Sequence, residues 1–512
     1  MRFSSVVGAV VGLCIAVTSA TSNLTTPQST QKILTGDFKP PQVFENTNLV
    51  RTINLEKGYV RETTNILITN TDKAPQSEYY VPFEYDLIGR IGGFDARDKK
   101  HAEKGPLEVT IAALAEVLDA QGLSSKATQY YIIHLDEPIP PKGTVTLSIS
   151  YHILNVLKPL PASIRQEEKQ YLTYDFSAYV PTLYKTVKQK TKVKFPSSDV
   201  PEYTATKGLV SNTDPEKQGS QFSYGPYDTA KIPPGTVYPV TVRYEFNKPL
   251  LVCSLLERDV EVSHWGGNLA TEERYWLRHD GAALSNHFSR VAWSTQSFYV
   301  NAGQMTTSAL RELKVPLKPG SVDPYFTDDI GNVSTSRFRP NNVREASLEL
   351  KPRYPLFGGW KYSFRIGWNN ALSSFLRKLK TPVDTYVLSV PLLEGPKMPE
   401  GVQYEHFVLR IILPEGATHV KYQTHGGTGV PSLHAEYSLH KTFMDTVGRT
   451  ELKLSGNNVV DEARDITLLV TYEYTLLSAL RKPFTIFVGF VVVYVVVYLV
   501  GSVDTSIGKR KR

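Results

Sequence analysis

Apolar and polar residues alternate strictly over several stretches of this 512-residue chain. Val145, Leu147, Ile149, Tyr151 and Ile153 are separated by Thr146, Ser148, Ser150 and His152. A period of two puts all five apolar side chains on one face of a β-strand. The pattern returns at Val240, Val242, Tyr244 and Phe246, and again at Ile466, Leu468, Val470, Tyr472 and Tyr474. The first two stretches follow similar turns, Pro140-Pro141-Lys142-Gly143-Thr144 and Pro233-Pro234-Gly235-Thr236. Runs at 192–195 and 407–413 meet Pro196 and Pro414, and proline, which cannot donate to a ladder, is expected to close each strand. Spaced strands with Gly and Pro turns predict a mainly β protein of sandwich type. The echoes predict two tandem β-sandwich-like domains, over 21–248 and 249–482, with strands spanning about 42–246 and 249–474.

Helical patterns are few. In 370–380, Leu372, Phe375, Leu376 and Leu379 fall on one face at helical spacing, with Arg377, Lys378 and Lys380 opposite. The spacing predicts a short helix, packed on its own domain or lying on a membrane surface. Residues 107–118 fit helix and strand equally. Residues 484–503, FTIFVGFVVVYVVVYLVGSV, hold no charged side chain. Twenty helical residues span about 30 Å, the thickness of a bilayer's hydrocarbon core. The valines favour strand in water, but in lipid the segment must satisfy its own backbone, so a transmembrane helix over 483–503 is predicted. At the other end, Arg2, an apolar run at 6–17 and the small residues Thr18, Ser19 and Ala20 read as a signal peptide over 1–20. The run is too short for a stable span. With Lys509-Arg510-Lys511-Arg512 in a cytosolic tail over 504–512, the positive-inside bias predicts a type I single-pass protein with its bulk in the lumen.

Composition adds two constraints. Hydrophobic content of 41% and charged content of 21% suit a globular body, and the net charge of +7 comes without the basic stripe and interleaved aromatics of a nucleic-acid binder. Of two cysteines, Cys14 falls in the signal, so the mature chain keeps only Cys253 and forms no internal disulfide. Ectodomains at the cell surface usually carry disulfides, and their absence leans towards a resident of the endoplasmic reticulum held in an assembly. Cys253, in the apolar run 249–253, reads as a buried thiol.

Candidate chemistry concentrates at Ser263-His264-Trp265-Gly266-Gly267-Asn268, followed by Glu272, Glu273, His279 and Asp280. Carboxylates near histidines suit acid–base work. Glu272 and Glu273 are adjacent, though, and on a strand they point to opposite faces. No metal-ligand spacing, nucleophile elbow or phosphate loop occurs, and no cofactor is expected. Two N-glycosylation sequons stand at Asn23-Leu24-Thr25 and Asn332-Val333-Ser334, the second after the turn-like Asp328-Asp329-Ile330-Gly331.

Several longer stretches carry a resemblance. Glu261-Val262-Ser263-His264-Trp265-Gly266, then Asp329 to Ser336 (DIGNVSTS), then Arg353 to Lys361 (RYPLFGGWK) closely resemble the ribophorin I family, subunit 1 of the oligosaccharyltransferase complex. Leu160-Pro161-Ala162 with Gln166 to Gln170, Tyr224-Gly225-Pro226-Tyr227, and Ile411 to Ala417 match in the same order. The likeness runs from about Val43 to the membrane segment. It implies an accessory, non-catalytic subunit of the endoplasmic reticulum membrane. The complex moves a preassembled oligosaccharide from dolichyl diphosphate to Asn of Asn-X-Ser/Thr. The implied partners are the other subunits, including a multi-spanning catalytic one, with nascent polypeptide acceptors and the protein translocon nearby. No catalytic residue carries over. Asn332 carries over as a glycan site, and Asn23 stands as a second candidate. Some animal members have a cytosolic domain after the span, and the short tail here resembles the smaller fungal form. A lumenal chaperone or substrate-binding module, and a membrane-anchored glycan hydrolase using Glu272 or Glu273, are the alternatives from other classes.

Overall fold

The computed structural model describes residues 32–34, 38–114, 129–206, 214–303, 305–427, 429, 431–442 and 445–502. The predicted signal at 1–20, the sequon at Asn23 and the predicted tail at 504–512 lie outside them. The described chain is mainly β, with several sheets and one long apolar helix at its C-terminal end.

Six strands make the first large sheet: β1 Phe44–Asn54, β2 Val60–Asn70, β3 Ile91–Asp98, β4 Thr144–Ile153, β5 Lys185–Lys194 and β6 Gln221–Asp228. Their spatial order is β6-β5-β1-β2-β4-β3, with the short strand Glu216–Gln218 at the β6 edge. Only β5 and β1 run parallel. The second sheet has eight strands, with Gly331–Asn332 and His434–His440 at its two edges; the six between them are β7 Leu251–Ser263, β8 Asn268–His279, β9 Val322–Asp328, β10 Lys361–Ala371, β11 Val402–Glu415 and β12 Arg449–Val460. Their order is β12-β11-β7-β8-β10-β9, and only β11 and β7 run parallel. Adding six to each label of the first sheet gives the second. The smaller sheets correspond too: strands ordered 202–203, 239–245, 171–177 and 158–159 in the first unit match 418–425, 467–473, 385–391 and 376–378 in the second. The two units are therefore one architecture used twice.

Alternation builds each core. In β2 every second residue from Val60 to Asn70 is buried, and in β8 Leu269, Thr271, Glu273, Tyr275 and Leu277 are. Both small sheets of each unit pack on this one face. The alternating stretch 240–246 and its echo at 466–474 are equivalent strands, 239–245 and 467–473, whereas the stretch in β4 corresponds to β10.

The units meet head to tail. The turn after β1 grips the second unit: Gly58 N–H donates to the Glu400 carbonyl (2.7 Å) and Gln403 Nε2 donates back to the Gly58 carbonyl (2.7 Å). Tyr59 donates to Asp461 (2.7 Å), which also pairs with Lys57 (3.1 Å), while Arg61 (3.1 Å) and His152 (3.2 Å) hold Glu462. Gly92 lies so close that a Cβ there would stand 1.7 Å from the Asn458 carbonyl oxygen. Burial works to raise the Glu462 pKa, but His152, Arg61 and Lys57 outweigh it and hold it near about 2, below the ordinary 4.5. A depressed carboxylate contributes stability above its unfolded pKa and loses it as pH falls through the folded one. The joint should therefore weaken between about pH 4.5 and 2. Thermal melting across that range should fall less steeply in Glu462→Gln than in the parent; equal slopes would exclude the ion cluster as the cause.

Two expectations are corrected and one open reading is resolved. Residues 370–380 form no α-helix: β10 runs to Ala371, a single 3₁₀ turn covers Leu372–Ser374, and Leu376–Lys378 pairs with the strand Thr385–Pro391. A strand bent twice sends apolar residues inward at spacings that imitate a helix, and the available ladder partner decides. Pro414 does not close its strand, because β11 passes through it to Glu415 across a register shift between Ile412 and Glu415, where no N–H is required of it. The ambiguous 107–118 contains a strand, Glu108–Leu114, and its last four residues lie outside the described set. Two helices lie outside the expected pattern: a single turn at Tyr85–Ile88, and α1, Arg290–Asn301, capped by the Ser289 hydroxyl accepting from Ala292 N–H.

Candidate functional site

The apolar run at the C-terminal end is helical, as its length requires, but α2 spans Leu476–Gly501 and starts inside the stretch assigned to the second domain rather than at residue 483. Thr475 caps it, accepting from Ser478 N–H (3.2 Å). Pro483 sits in the helix interior, where it has no N–H to give the carbonyl four residues back. That carbonyl belongs to Ala479, and the Trp265 indole N–H donates to it (2.8 Å). Lys482 reaches the buried Asp445 (2.7 Å). Burial would raise the Asp445 pKa, but Lys482 and Thr442 hold it well below the usual carboxylate range. The turn after β7 thus anchors the membrane-length helix, as the equivalent turn after β1 anchors the second unit.

Beneath Trp265, His264 is enclosed by Tyr386, Tyr472 and Tyr474, with Nε2 2.8 Å from the Tyr472 hydroxyl. Burial pushes its pKa down, so the imidazole is neutral at pH 7. Trp265→Phe keeps the ring but leaves the Ala479 carbonyl without its donor. It should cost about 1 kcal/mol and speed hydrogen exchange in the first two turns of α2, while the first unit stays unchanged.

The other candidate residues are dispersed. Glu273 lies in the core against Arg258, with Tyr275 donating to it (2.5 Å). Glu272 faces the opposite side of β8, beside Arg274 (2.7 Å) and Tyr325. His279 is buried with Nε2 2.6 Å from the Ser308 carbonyl, and Asp280 pairs with Arg278 (2.9 Å). Cys253 is buried, and burial pushes its thiol up to about 12. Among the described residues no group of His, Cys, Asp or Glu is arranged to hold a metal. A cleft of about 630 Å³ at the joint, bordered by Gly92, Gly93, Gly426, Gly427 and Gly429, contains Asp95 and Arg97, but these pair with each other (2.8 Å).

Several of the stretches that carried the resemblance fall on junctions. Gln170 Oε1 accepts from Ala282 N–H (2.9 Å) of the second unit, and its Nε2 donates to the Phe246 and Lys248 carbonyls (3.0 and 3.1 Å). Ser163–Ile164 pairs in parallel with Ala283–Leu284, and a Cβ on Gly358 would meet the Ala282 carbonyl oxygen at 2.1 Å. Phe357 packs on Trp293 of α1. Asn332 is exposed at the sheet edge, pairing with Thr327. Arg353 braces its turn, donating to Asp328 (2.6 Å) and to the Asn332 carbonyl (3.0 Å). Sequence marked Trp265 and Gly358 as notable, but their contacts 214 and 76 residues away are not readable from a local pattern.

Together these features define a class of protein: a repeated β body on one membrane-length helix, with its buried ion pairs committed to structure. The chain belongs to the ribophorin I family, whose model, described as Ribophorin I, matches residues 44–501. It is 31% identical over 482 residues to "Dolichyl-diphosphooligosaccharide--protein glycosyltransferase subunit 1" of Caenorhabditis elegans, covering 93% of this chain and 75% of that one. It is 29% identical to subunit 1B of Oryza sativa subsp. japonica, covering 92% and 94%, and 28% identical to subunit 1 of Schizosaccharomyces pombe, covering 86% and 91%. Among solved structures, an M1 zinc metallopeptidase of Deinococcus radiodurans matches 43% of this chain and 42% of its own at 11% identity, with a TM-score of 0.26, too weak a likeness to bear on function.

Proposed function

We propose that the chain is the accessory, non-catalytic subunit 1 of an oligosaccharyltransferase, the complex that transfers preassembled oligosaccharide from dolichyl diphosphate to asparagine. The observation that carries this is the family match over 44–501, together with relatives named as that glycosyltransferase's subunit 1. The partners are the other subunits, a multi-spanning catalytic one among them. The reading places the chain in the endoplasmic reticulum membrane as a type I protein, with domains over 21–248 and 249–482 in the lumen near the translocon. The two stacked units form an arm that steers nascent acceptor chains towards the membrane-proximal active site. The strand β7, thirteen residues at about 3.3 Å each, keeps the first unit about 40 Å from the start of α2.

Complexes assembled with a chain lacking 21–248 should glycosylate short free peptides at the parent rate and folded-protein precursors more slowly. An equal loss on both would contradict acceptor steering. Asn332 is the proposed glycan site, with Asn23 a second. Asn332→Gln should remove one glycan's mass from the chain, read by endoglycosidase shift, with no loss of fold because the side chain is exposed; an unchanged mass would exclude the site.

A further inference from the structure

The end of the second unit around α2 presents side chains that its fold does not use. Trp265 is 64% exposed although its N–H is spent on Ala479. Val383 is 71% exposed at the tip of the hairpin joining 376–378 to 385–391, next to Asp384, whose carbonyl receives the Tyr474 N–H just before the helix cap. Leu439 is 64% exposed at the end of the strand paired with β12, in the hairpin that holds Lys482 through Asp445. Lys378 and Lys482 are matched by Asp384 and Asp445, whereas Arg377, Lys380, Lys441 and Arg481 pair with no carboxylate among the described residues. Three separate loops thus bring apolar tips and unpaired cations to one end of the molecule. The exposed apolar residues Val291 and Phe298 of α1 lie at the other end of the sheet, where α1 packs on Phe357.

We propose that this end is a membrane-docking collar, seated on the phospholipid headgroups of the leaflet that α2 enters. The length of the helix fixes the occupant. Ala479, held by Trp265, precedes the charge-free run at Phe484 by five residues, about 7–8 Å of helix. The headgroup layer on each side of the hydrocarbon core is of that thickness. Trp265 therefore lies at headgroup depth, where tryptophan's apolar ring and polar N–H are both accommodated. Val383 and Leu439 dip towards the acyl chains, and Arg377, Lys380, Lys441 and Arg481 meet lipid phosphates. Docking at three loops as well as at the helix stops the arm from swinging about Pro483. The inference rests on α2 spanning the bilayer and not on the glycosylation reading.

The test uses the full chain in phospholipid nanodiscs, with Cys14→Ser and with Cys253 retained because it is buried. An environment-sensitive fluorophore is placed singly at Val383→Cys, Leu439→Cys, Val291→Cys and Val493→Cys. Headgroup and shallow-chain nitroxide lipids should quench the probes at 383 and 439 and shift their emission to the blue. The probe at 291 should keep its emission, and 493 should lose it only to deep-chain nitroxides. Arg377→Gln with Lys380→Gln should reduce quenching at 383. Full emission at 383 and 439 while 493 is quenched would overturn the collar, as would equal quenching at 291. Loss of the effect in the assembled complex, with the probes shielded from aqueous quencher, would show a protein partner on this face and overturn it too. An unquenched 493 would remove the span and the collar with it, and leave the glycosylation reading standing.

Discussion

Arg258→Met should lower the stability of the second unit by about 3–5 kcal/mol, the cost of leaving buried charge unpaired. Arg258 on β7 is almost wholly inaccessible, and so are its partners Glu273 on β8 and Glu394, the latter at 2.7 Å. Burial opposes the charge on Arg258, but Glu394 and Glu273 outweigh it and keep the guanidinium protonated. Removing it strands two carboxylates in a core of aromatic and aliphatic side chains. Replacing all three residues by apolar ones of similar volume should recover most of the loss, since a buried ion network is seldom better than good packing. Denaturant melts of these two variants check this. The same series separates the structural role from a hydrolase. Glu273→Gln should act through stability, and Glu272→Gln, on the outer face beside Arg274, should change little. The first unit repeats the device: Arg51 on β1 lies 3.9 Å from Glu62 on β2, which accepts from Tyr151 (2.8 Å) and Tyr174 (3.1 Å).

Gly358→Val should cost about 3 kcal/mol, near the upper range for overpacking, because any Cβ meets backbone that has no room to move. The atoms in the way are the carbonyl oxygens of Ala282 (2.1 Å) and Gly281 (2.4 Å), which flank the parallel pairing between the units. Hydrogen exchange should accelerate at Ala283 and Ser285, whose N–H groups donate to Ala162 and Ile164 (2.9 and 2.8 Å). Gly359→Ala is the control. Its φ of +82° imposes about 1–2 kcal/mol of strain, but its nearest neighbour is the Ala283 Cβ at 4.0 Å, so the joint should stay closed. Opening in both variants would show that backbone strain, not close approach, holds the units together.

Much of the fold was readable because a strand reports its own buried face. The alternation at 145–153, 240–246 and 466–474 marks strands that exist, and the opposed faces of Glu272 and Glu273 follow from the same period. Patterns that mix local bends with distant pairing were misread. Residues 370–380 look helical because a 3₁₀ turn and a change of sheet displace Leu372, Phe375 and Leu376 towards the core at irregular intervals. The helix Arg290–Asn301 escaped notice because valine, threonine and aromatics fill it, and the cap at Ser289 was its one local signal. The start of α2 was placed late because charge at Arg481 and Lys482 bounds the lipid-compatible run, whereas Thr475 and Trp265 bound the helix. The site was legible as unusual sequence, Ser263 to Asn268 and Phe357 to Trp360, but not as two junctions. Each needs a partner remote in the chain, Ala479 for one and Ala282 for the other.

The head-to-tail stack ends on the membrane-length helix α2. One turn grips the next unit, its counterpart grips the membrane-length helix, and among the described residues no group of His, Cys, Asp or Glu is arranged to hold a metal. The central claim is that this body serves a catalytic partner. The most direct measurement is N-glycan occupancy of secretory proteins after depletion of the chain, made alongside affinity purification through a tag on it. The account predicts reduced occupancy at Asn-X-Ser/Thr sites, and recovery of a multi-spanning glycosyltransferase with the tagged chain. Intact occupancy after depletion, with the chain purifying alone, would contradict it.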